Sequence, residues 1–186
     1  MPQILAKAEL LENKVVVWNR EEGEKIFKEK YFGKWIEEDN VVYLQLMLEE
    51  AMMLLERGYI KIFKNEKELS VQEFFRICCS IDPEFTYKYT VYRDLRQRGF
   101  IVKSGFKFGT HFRVYERGVN PYKTGEKSPR EHTKFNVHAV PENIDWSLAD
   151  LSRFVRLSQN IRARPLLAVV DEEGSVTYYI VKHVSP

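Results

Sequence analysis

Two side chains near the middle of this sequence, Tyr115 and His132, could perform acid–base chemistry; they lie 17 positions apart. A histidine with an ordinary pKa of ~6.5 keeps a useful protonated fraction near neutrality and can act as a general acid. A tyrosine phenol with a pKa of ~10 is only about 0.1% ionised at pH 7, so it needs nearby cations to act as a base. Taken alone, each residue is more often an ordinary strand tyrosine or loop histidine, so the surrounding motifs must decide.

Tyr115 ends a stretch, residues 103–115, in which aromatic and basic residues alternate. In a strand, this alternation predicts an apolar face directed inward and a basic face open to a polyanion. Gly105 and Gly109 predict tight turns or bulges, because glycine adopts positive φ without steric cost. The alternating residues are Phe106, Lys107, Phe108, Phe112 and Arg113.

The net charge of +2 is unevenly distributed along the chain. Residues 1–92 hold 13 Lys and Arg against 17 Asp and Glu, whereas residues 93–134 hold 11 against 4. Residues 135–186 are nearly balanced, with 5 against 6. A basic excess confined to one segment indicates a phosphate-rich partner, although a solvated basic face would give the same count.

The composition predicts a protein of the cytoplasm. No apolar run approaches the ~18 residues that span a bilayer, and no secretory leader opens the sequence, so no membrane association is expected. Cys78 and Cys79 are adjacent and without a second pair, which predicts core packing rather than a zinc site or disulfide. No cluster of His, Cys, Asp or Glu has metal-ligand spacing, so no metal site is predicted.

Hydrophobic periodicity predicts a small N-terminal α/β domain over residues 1–81. The predicted strands are residues 7–12, 15–18 and 59–63, and the predicted helices are residues 21–31, 42–57 and 70–79. Ser70 and Glu73 form a capping box at the start of the last helix. None of these residues assembles nucleophile, metal or phosphate chemistry, so this half is assigned to folding and assembly.

Residues 82–186 predict a C-terminal domain with a mixed sheet flanked by helices, which makes the fold class α+β. Asp82 and Pro83 suit the N-cap and first position of a helix to Arg98. Residues 116–131 form a polar loop that is long for a compact domain and therefore favours a binding role. After it come a strand at 133–140, a helix capped by Ser147, and a closing hairpin, residues 166–170 and 175–181.

The ordered motifs of this second half resemble those of the archaeal tRNA-splicing endonucleases. Residues 92–115 read Tyr-x-x-Leu-Arg-x-Arg-Gly, then Lys-Phe-Gly, then Val-Tyr; Glu-His-Thr follows at 131–133, and an arginine-bearing segment precedes the apolar strand at 166. The resemblance implies a catalytic subunit that cuts precursor tRNA at bulge–helix–bulge junctions. It further implies cleavage without metal or other cofactor, leaving a 2′,3′-cyclic phosphate and a 5′-hydroxyl.

The resemblance assigns three catalytic positions. Tyr115 matches the family's general base, His132 matches its general acid, and the family's lysine falls on Ala163. Attack by a ribose 2′-hydroxyl on its own phosphate requires a base, an acid for the leaving 5′-oxygen, and cationic stabilisation of the phosphorane. Loss of one preorganised cationic donor costs on the order of 10²–10³ in rate, so this chain is expected to be impaired.

Three interpretations of Ala163 follow. A catalytic lysine has been replaced deliberately, which is the interpretation we prefer; Arg162 or Arg164 supplies the charge instead; or the chain is a non-catalytic, RNA-binding scaffold subunit of a hetero-oligomer. A side chain adjacent on an extended segment points the other way, which disfavours the second. Intact Tyr115 and His132 disfavour the third.

The resemblance also implies residues for binding and assembly. Arg156 matches an arginine that stacks on a splayed bulge base, and stacking of this kind is physically sensible. The acidic residues Glu142 and Asp145 are candidates for a loop that docks in another subunit, and residues 178–181 for a tail-to-tail contact. Two cut sites related by near two-fold symmetry predict a homotetramer. The expected RNA contacts are Lys107, Arg113, Arg156 and Arg164.

Overall fold

Two β-sheets, one in each half, organise the chain in the computed structural model, which describes residues 4–184. The chain divides into two units, residues 1–85 and 86–186. Each unit combines its sheet with helices, so the predicted α+β class with a mixed C-terminal sheet is confirmed. No helix in the described part of the chain is both long enough and apolar enough to cross a membrane.

The first sheet has six strands: β1 (Ala6–Leu11), β2 (Lys14–Val17), β3 (Lys34–Glu38), β4 (Val41–Leu46), β5 (Ile60–Lys64) and β6 (Lys67–Glu68). Their order is β3-β4-β2-β1-β5-β6, with β1 and β5 parallel and the other neighbouring pairs antiparallel. Val15, Val16 and Val17 in β2 are completely buried. A strand buried on both faces reads as a continuous apolar run, as β2 does.

Three helices accompany this sheet: α1 (Arg20–Lys30), α2 (Leu48–Glu56) and α3 (Val71–Ile81). The capping box predicted at the start of α3 is present, because the Ser70 hydroxyl accepts from the Glu73 amide and the Glu73 carboxylate accepts from the Ser70 amide. Cys78 is fully buried, and burial is the main cause that raises the pKa of its thiol. Its role is core packing, as expected.

The helix predicted at residues 42–57 is wrong in its first part. Residues 41–46 form β4, which pairs with β2 and β3, and α2 begins only at Leu48. The β-branched and aromatic residues Val41, Val42 and Tyr43 favour a strand. Strand pairing on both sides of β4 therefore outweighs the helical spacing of the leucines.

The helix predicted to begin after Asp82 starts two residues later than expected. Asp82 ends α3, residues 83 and 84 form a turn, and α4 (Phe85–Gln97) begins later. The Asp82 carboxylate accepts from the Glu84 amide at 2.9 Å, and its carbonyl accepts from the Phe85 amide at 2.9 Å. Asp82 thus makes the hydrogen bonds expected of an N-cap, at the turn that leads into α4.

The second sheet has five strands: β7 (Ile101–Ser104), β8 (Phe112–Tyr115), β9 (Phe135–Pro141), β10 (Arg164–Val170) and β11 (Val176–Ile180). Their order is β11-β10-β9-β8-β7. Strands β9 and β10 are parallel and are connected through α5 (Leu148–Asn160), while the other pairs are antiparallel. The predicted closing hairpin is present.

Helices α4 and α5 cover opposite faces of this sheet. The Tyr92 ring of α4 lies 5.9 Å from the Phe112 ring, and the Phe154 ring of α5 lies 4.9 Å from the His138 ring. Phe112 pairs with Val137, and His138 is the next residue along β9, so successive side chains point to the two helices. The sheet is therefore sandwiched between helices.

The face assignment predicted for residues 103–115 fails at two positions. Phe106 is 87% exposed, whereas Lys103 is only 5% exposed. The chain leaves the strand at Gly105 and forms a short 3₁₀ turn, Phe106–Phe108, before β8 begins. Residue alternation therefore does not continue from β7 into β8, and Phe106 is presented to solvent. Gly109, at φ +66°, ends this turn in the left-handed conformation that glycine favours.

Candidate active site

One end of the second sheet holds two of the three positions predicted to be catalytic, Tyr115 and Ala163, and the chain that follows the third, His132, enters the sheet there. Phe135 of β9 pairs with Val114 on one side and with Arg164 on the other. Tyr115 follows Val114, Lys134 precedes Phe135, and Ala163 precedes Arg164. Because β8 runs antiparallel to β9 and β10, these three residues lie at the same end of the sheet. Two backbone hydrogen bonds fix them there: Lys134 donates to Val114 at 2.7 Å, and Arg164 donates to Lys134 at 3.0 Å.

Tyr115 is 3% exposed and ends β8. Alternation along β8 places Arg113 on the same face, and its guanidinium carbon lies 5.9 Å from the Tyr115 ring centroid. That guanidinium also lies 4.9 Å from the Phe108 ring, and its Nε donates to the Ser104 carbonyl at 3.0 Å. The Arg113 guanidinium thus lies between the Tyr115 ring and the turn that carries Phe108, on the same face of the sheet as Tyr115.

A buried polar network fixes the face on which Tyr115 lies. Asn136, which pairs with Arg113, donates from Nδ2 to the Ser158 hydroxyl of α5 at 3.1 Å. Its Oδ1 accepts from the Thr110 hydroxyl at 2.6 Å. The Ser158 carbonyl also accepts from the Ala163 amide at 3.0 Å. Ser158 therefore joins strand β9 to the chain that carries position 163.

Ala163 is 6% exposed and follows Arg162, whose φ is +55°. A longer side chain at this position would begin in a buried environment, at the end of the sheet that holds Tyr115. Arg164 is exposed, and its guanidinium lies 5.9 Å from the Phe135 ring. Phe135 shares a face with its partner Val114, which is opposite to the face of Tyr115.

His132 is exposed and follows a short 3₁₀ turn, Pro129–Glu131, near the end of the polar loop. The Glu131 carboxylate accepts from Lys123 Nζ at 2.6 Å and from the Ser128 amide at 2.7 Å. The hydrogen bond from Lys123 and then that from Ser128 lower the pKa of Glu131 to about 2. The loop is thus tied internally just before His132.

Glu116 connects the strand of Tyr115 to the loop of His132. Its Oε1 accepts from Lys134 Nζ at 2.9 Å, and its Oε2 accepts from Arg130 Nε at 3.1 Å. These hydrogen bonds, that from Lys134 first, lower the pKa of Glu116. Neither Glu116 nor its two partners was predicted from the sequence. The available signal was a carboxylate directly after Tyr115 and cations two positions before and after His132.

Two further predicted RNA contacts, Lys107 and Arg156, lie on a turn and on a helix. Lys107 is exposed in the 3₁₀ turn, at the opposite end of the β7–β8 hairpin from Tyr115. Arg156 is exposed on α5, where it lines an open cleft of about 670 Å³ whose other wall includes Val181, Lys182 and His183. Strand register thus separates Lys107 from the end of the sheet that holds Tyr115. Arg156 lies on a helix, seven positions before Ala163.

The residues predicted for assembly lie near the hairpin that closes the chain. The Glu142 carboxylate accepts from the Glu172 amide at 3.0 Å, so it braces the β10–β11 turn of its own unit. Asp145 is exposed in the following loop. In β11, Tyr178 donates to the Asp94 carboxylate of α4 at 2.6 Å, whereas Tyr179 and Ile180 are exposed at the sheet edge.

Among residues 4–184, no group of three or more His, Cys, Asp or Glu side chains is placed to hold a metal ion. The groups assembled near Tyr115 are instead a phenol, an imidazole-bearing loop and several cations. Such a set suits proton transfer next to a polyanion.

Each of the two units matches the model of a known protein family. Residues 6–75 match the N-terminal domain model of the tRNA intron endonucleases, and residues 85–178 match the model described as their catalytic C-terminal domain. The two models together cover most of the chain, and they define its class as that of the two-domain tRNA intron endonucleases.

Curated relatives agree with this class. The tRNA-splicing endonuclease of Thermococcus onnurineus is 41% identical over 159 residues, which are 86% of this chain and 85% of that protein. The protein of the same name from Methanothermobacter thermautotrophicus is 40% identical over 84% of both chains. That of Methanococcoides burtonii is 37% identical over 93% of this chain but only 47% of its own length.

This chain belongs to the tRNA intron endonuclease family. The resemblance drawn from residues 92–115, 131–133 and the segment around Arg162 is confirmed at the level of the family.

Proposed function

We propose that this chain is a tRNA intron endonuclease that cuts precursor tRNA at bulge–helix–bulge junctions by 2′-hydroxyl transesterification, and that it acts in the cytoplasm without a metal or other cofactor. One observation carries the proposal: strand register brings Tyr115, the loop of His132 and position 163 to one end of a single sheet. The family membership supplies the class of reaction.

In the proposed reaction, Tyr115 accepts the proton of the ribose 2′-hydroxyl while the 2′-oxygen attacks the adjacent phosphorus. The bond from phosphorus to the 5′-oxygen then breaks, and His132 protonates the leaving oxygen. The products are a 2′,3′-cyclic phosphate and a 5′-hydroxyl. The exposure of His132 supports its role as acid, because the leaving group belongs to an RNA that approaches from solvent.

The site so defined lacks one group, the ammonium expected at position 163. Arg164 is a poor substitute, because its guanidinium lies over Phe135, on the face away from Tyr115. Arg113 lies near Tyr115 but is engaged by Ser104 and Phe108. We therefore propose that the chain with Ala163 binds its substrate and cleaves it slowly.

A second candidate function is that of a non-catalytic RNA-binding subunit, and Ala163 itself favours it. On that proposal the basic segment binds RNA while a partner subunit with the lysine cleaves it. Co-purification distinguishes the two candidate functions, because a scaffold subunit should purify together with a second chain that carries the catalytic lysine. A homotetramer would instead scatter at about 88 kDa, four times the 22.1 kDa chain.

The test restores the missing charge. Ala163→Lys should raise the single-turnover rate on a bulge–helix–bulge RNA on the order of 10²–10³-fold, because a preorganised cation stabilises the phosphorane. Ala163→Met, of similar length but without charge, is the matched control and should give no such gain. A gain below about tenfold for the lysine variant would contradict the proposed site.

A further inference from the structure

Glu116 is placed to control the geometry of the His132 loop. Its two carboxylate oxygens accept from Lys134 and Arg130, which lie 18 and 14 positions further along the chain. His132 is midway between these two residues. The carboxylate of the residue that follows Tyr115 thus binds one side chain before and one side chain after the proposed acid, His132.

We propose that Glu116 is a positioning residue that fixes His132 relative to Tyr115. This inference rests on the function proposed above and deepens it. Glu116 contacts no reacting atom; it acts through the side chains of Arg130 and Lys134, on either side of His132.

The rest of the loop explains why one residue could have this effect. On the C-terminal side of His132, the backbone is already fixed, because the Lys134 amide donates to the Val114 carbonyl at 2.7 Å. On the N-terminal side, the Glu131 carboxylate holds only residues of the loop itself, Lys123 and Ser128. Earlier in the loop, the Lys103 ammonium of β7 lies 5.3 Å from the Tyr122 ring. The contact between Glu116 and Arg130 joins the loop to the strand of Tyr115 much nearer to His132, two positions before it.

Stability alone does not account for such a contact. The Arg130 side chain is 80% exposed, and an exposed ion pair contributes roughly 0–1 kcal/mol. Catalysis responds more strongly, because displacing a reacting group by ~1 Å can reduce a rate by as much as 10²-fold. A small loss of stability with a large loss of turnover is the expected signature of positioning.

The experiment is made in the Ala163→Lys enzyme. Glu116→Gln should lower kcat by about tenfold or more and leave KM within about twofold, because RNA binding is retained while the acid is misplaced. Glu126→Gln is the matched control: it removes the same charge from an exposed position of the same loop and should leave both constants unchanged. Glu116→Asp, which keeps the charge, should recover part of kcat.

A second measurement needs no activity and uses the chain with Ala163. Amide hydrogen exchange in residues 129–133 should accelerate severalfold in Glu116→Gln, while exchange in β9 and β10 stays unchanged. A kcat for Glu116→Gln within twofold of its parent, or a change in KM alone, would overturn the inference. Unchanged exchange in residues 129–133 would also overturn it. If Ala163→Lys itself fails to cleave, the proposed function fails, and exchange still decides whether Glu116 anchors the loop.

Discussion

The two units of this protein place their polar contacts differently. In the first unit, Ser70 and Glu73 are only three positions apart, and Glu24 and Lys28 of α1 are four apart; both contacts are accessible to solvent. In the second unit, the completely buried Asn136 joins residues 26 and 22 positions away. Local, solvated contacts finish helices, whereas long-range buried contacts fix one arrangement of strands and loops.

The difference follows from what each unit must hold. The interior of β2 and its neighbours is apolar, and burial of such side chains stabilises a sheet without specifying the position of any one group to a fraction of an ångström. In the second unit the polar ties run from the β7–β8 turn through Asn136 of β9 to Ser158 of α5 and the Ala163 amide. We infer that the first unit depends mainly on its apolar core and that the second depends also on precise polar geometry.

Removal of the buried amide should have the largest effect on stability. Asn136→Ala deprives the Thr110 hydroxyl of its partner at 2.6 Å and leaves space in the core. Loss of partners for buried polar groups costs about 1–3 kcal/mol each, so we expect the second unit to lose roughly 3 kcal/mol. Native-state hydrogen exchange of the amides in β8–β10 measures this loss of stability.

Asn136→Leu separates the two causes of that loss, because it restores volume but not hydrogen bonds. If the leucine variant were as stable as the parent chain, packing alone would explain the effect and the comparison between the units would fail.

A smaller loss is expected from the matching change in the first unit. Ser70→Ala removes the hydroxyl that caps α3, at a typical cost of ~1 kcal/mol. The free energy of opening, measured by exchange of the α3 amides, should fall by that amount, while exchange in β8–β10 should not change. A loss equal to or greater than that of Asn136→Ala would remove the contrast between local and long-range contacts.

The smallest effect is a local response to acid in both units. Hydrogen bonding to Lys67 and Ser70 lowers the pKa of Glu73 to about 2, as Lys123 and Ser128 do for Glu131. Both depressed pKa values stabilise the folded state above pH ~4.5, and this contribution disappears as the pH falls from ~4.5 to ~2.

The two carboxylates should nevertheless respond differently to protonation. Glu73 begins an eleven-residue helix, whereas Glu131 ends a three-residue turn. Amide chemical shifts between pH 5 and 2.5 should therefore show the turn before His132 loosening while α3 remains helical. Simultaneous loss of both, or a Glu131→Gln variant that loosens over the same pH range, would argue against this.

Much of the fold could be predicted from local sequence. Ser70 and Glu73 predicted the start of α3, and Ser147 predicted the start of α5, because capping residues bind backbone amides only a few positions away. Residues 41–46 were assigned wrongly, since strand pairing on both sides decides their conformation. The exposure of Phe106 depends on a 3₁₀ turn that breaks the alternation, which periodicity alone does not reveal.

The candidate site was predictable only in part. The ordered motifs led to Tyr115, His132 and Ala163, but the assignment of roles came through the family resemblance. Glu116 carries no motif: its importance appears only when the register of β8 and β9 brings Lys134 and Arg130 to it. Contacts over 14 and 18 positions depend on tertiary structure, and local sequence does not encode them.

The most direct test of the central claim is the chemistry of the RNA ends made by the Ala163→Lys enzyme in the presence of EDTA. Our account predicts 2′,3′-cyclic phosphate and 5′-hydroxyl ends, and loss of this cleavage in the same enzyme with Tyr115→Phe. Ends bearing a 3′-hydroxyl and a 5′-phosphate, or cleavage unaffected by Tyr115→Phe, would contradict it.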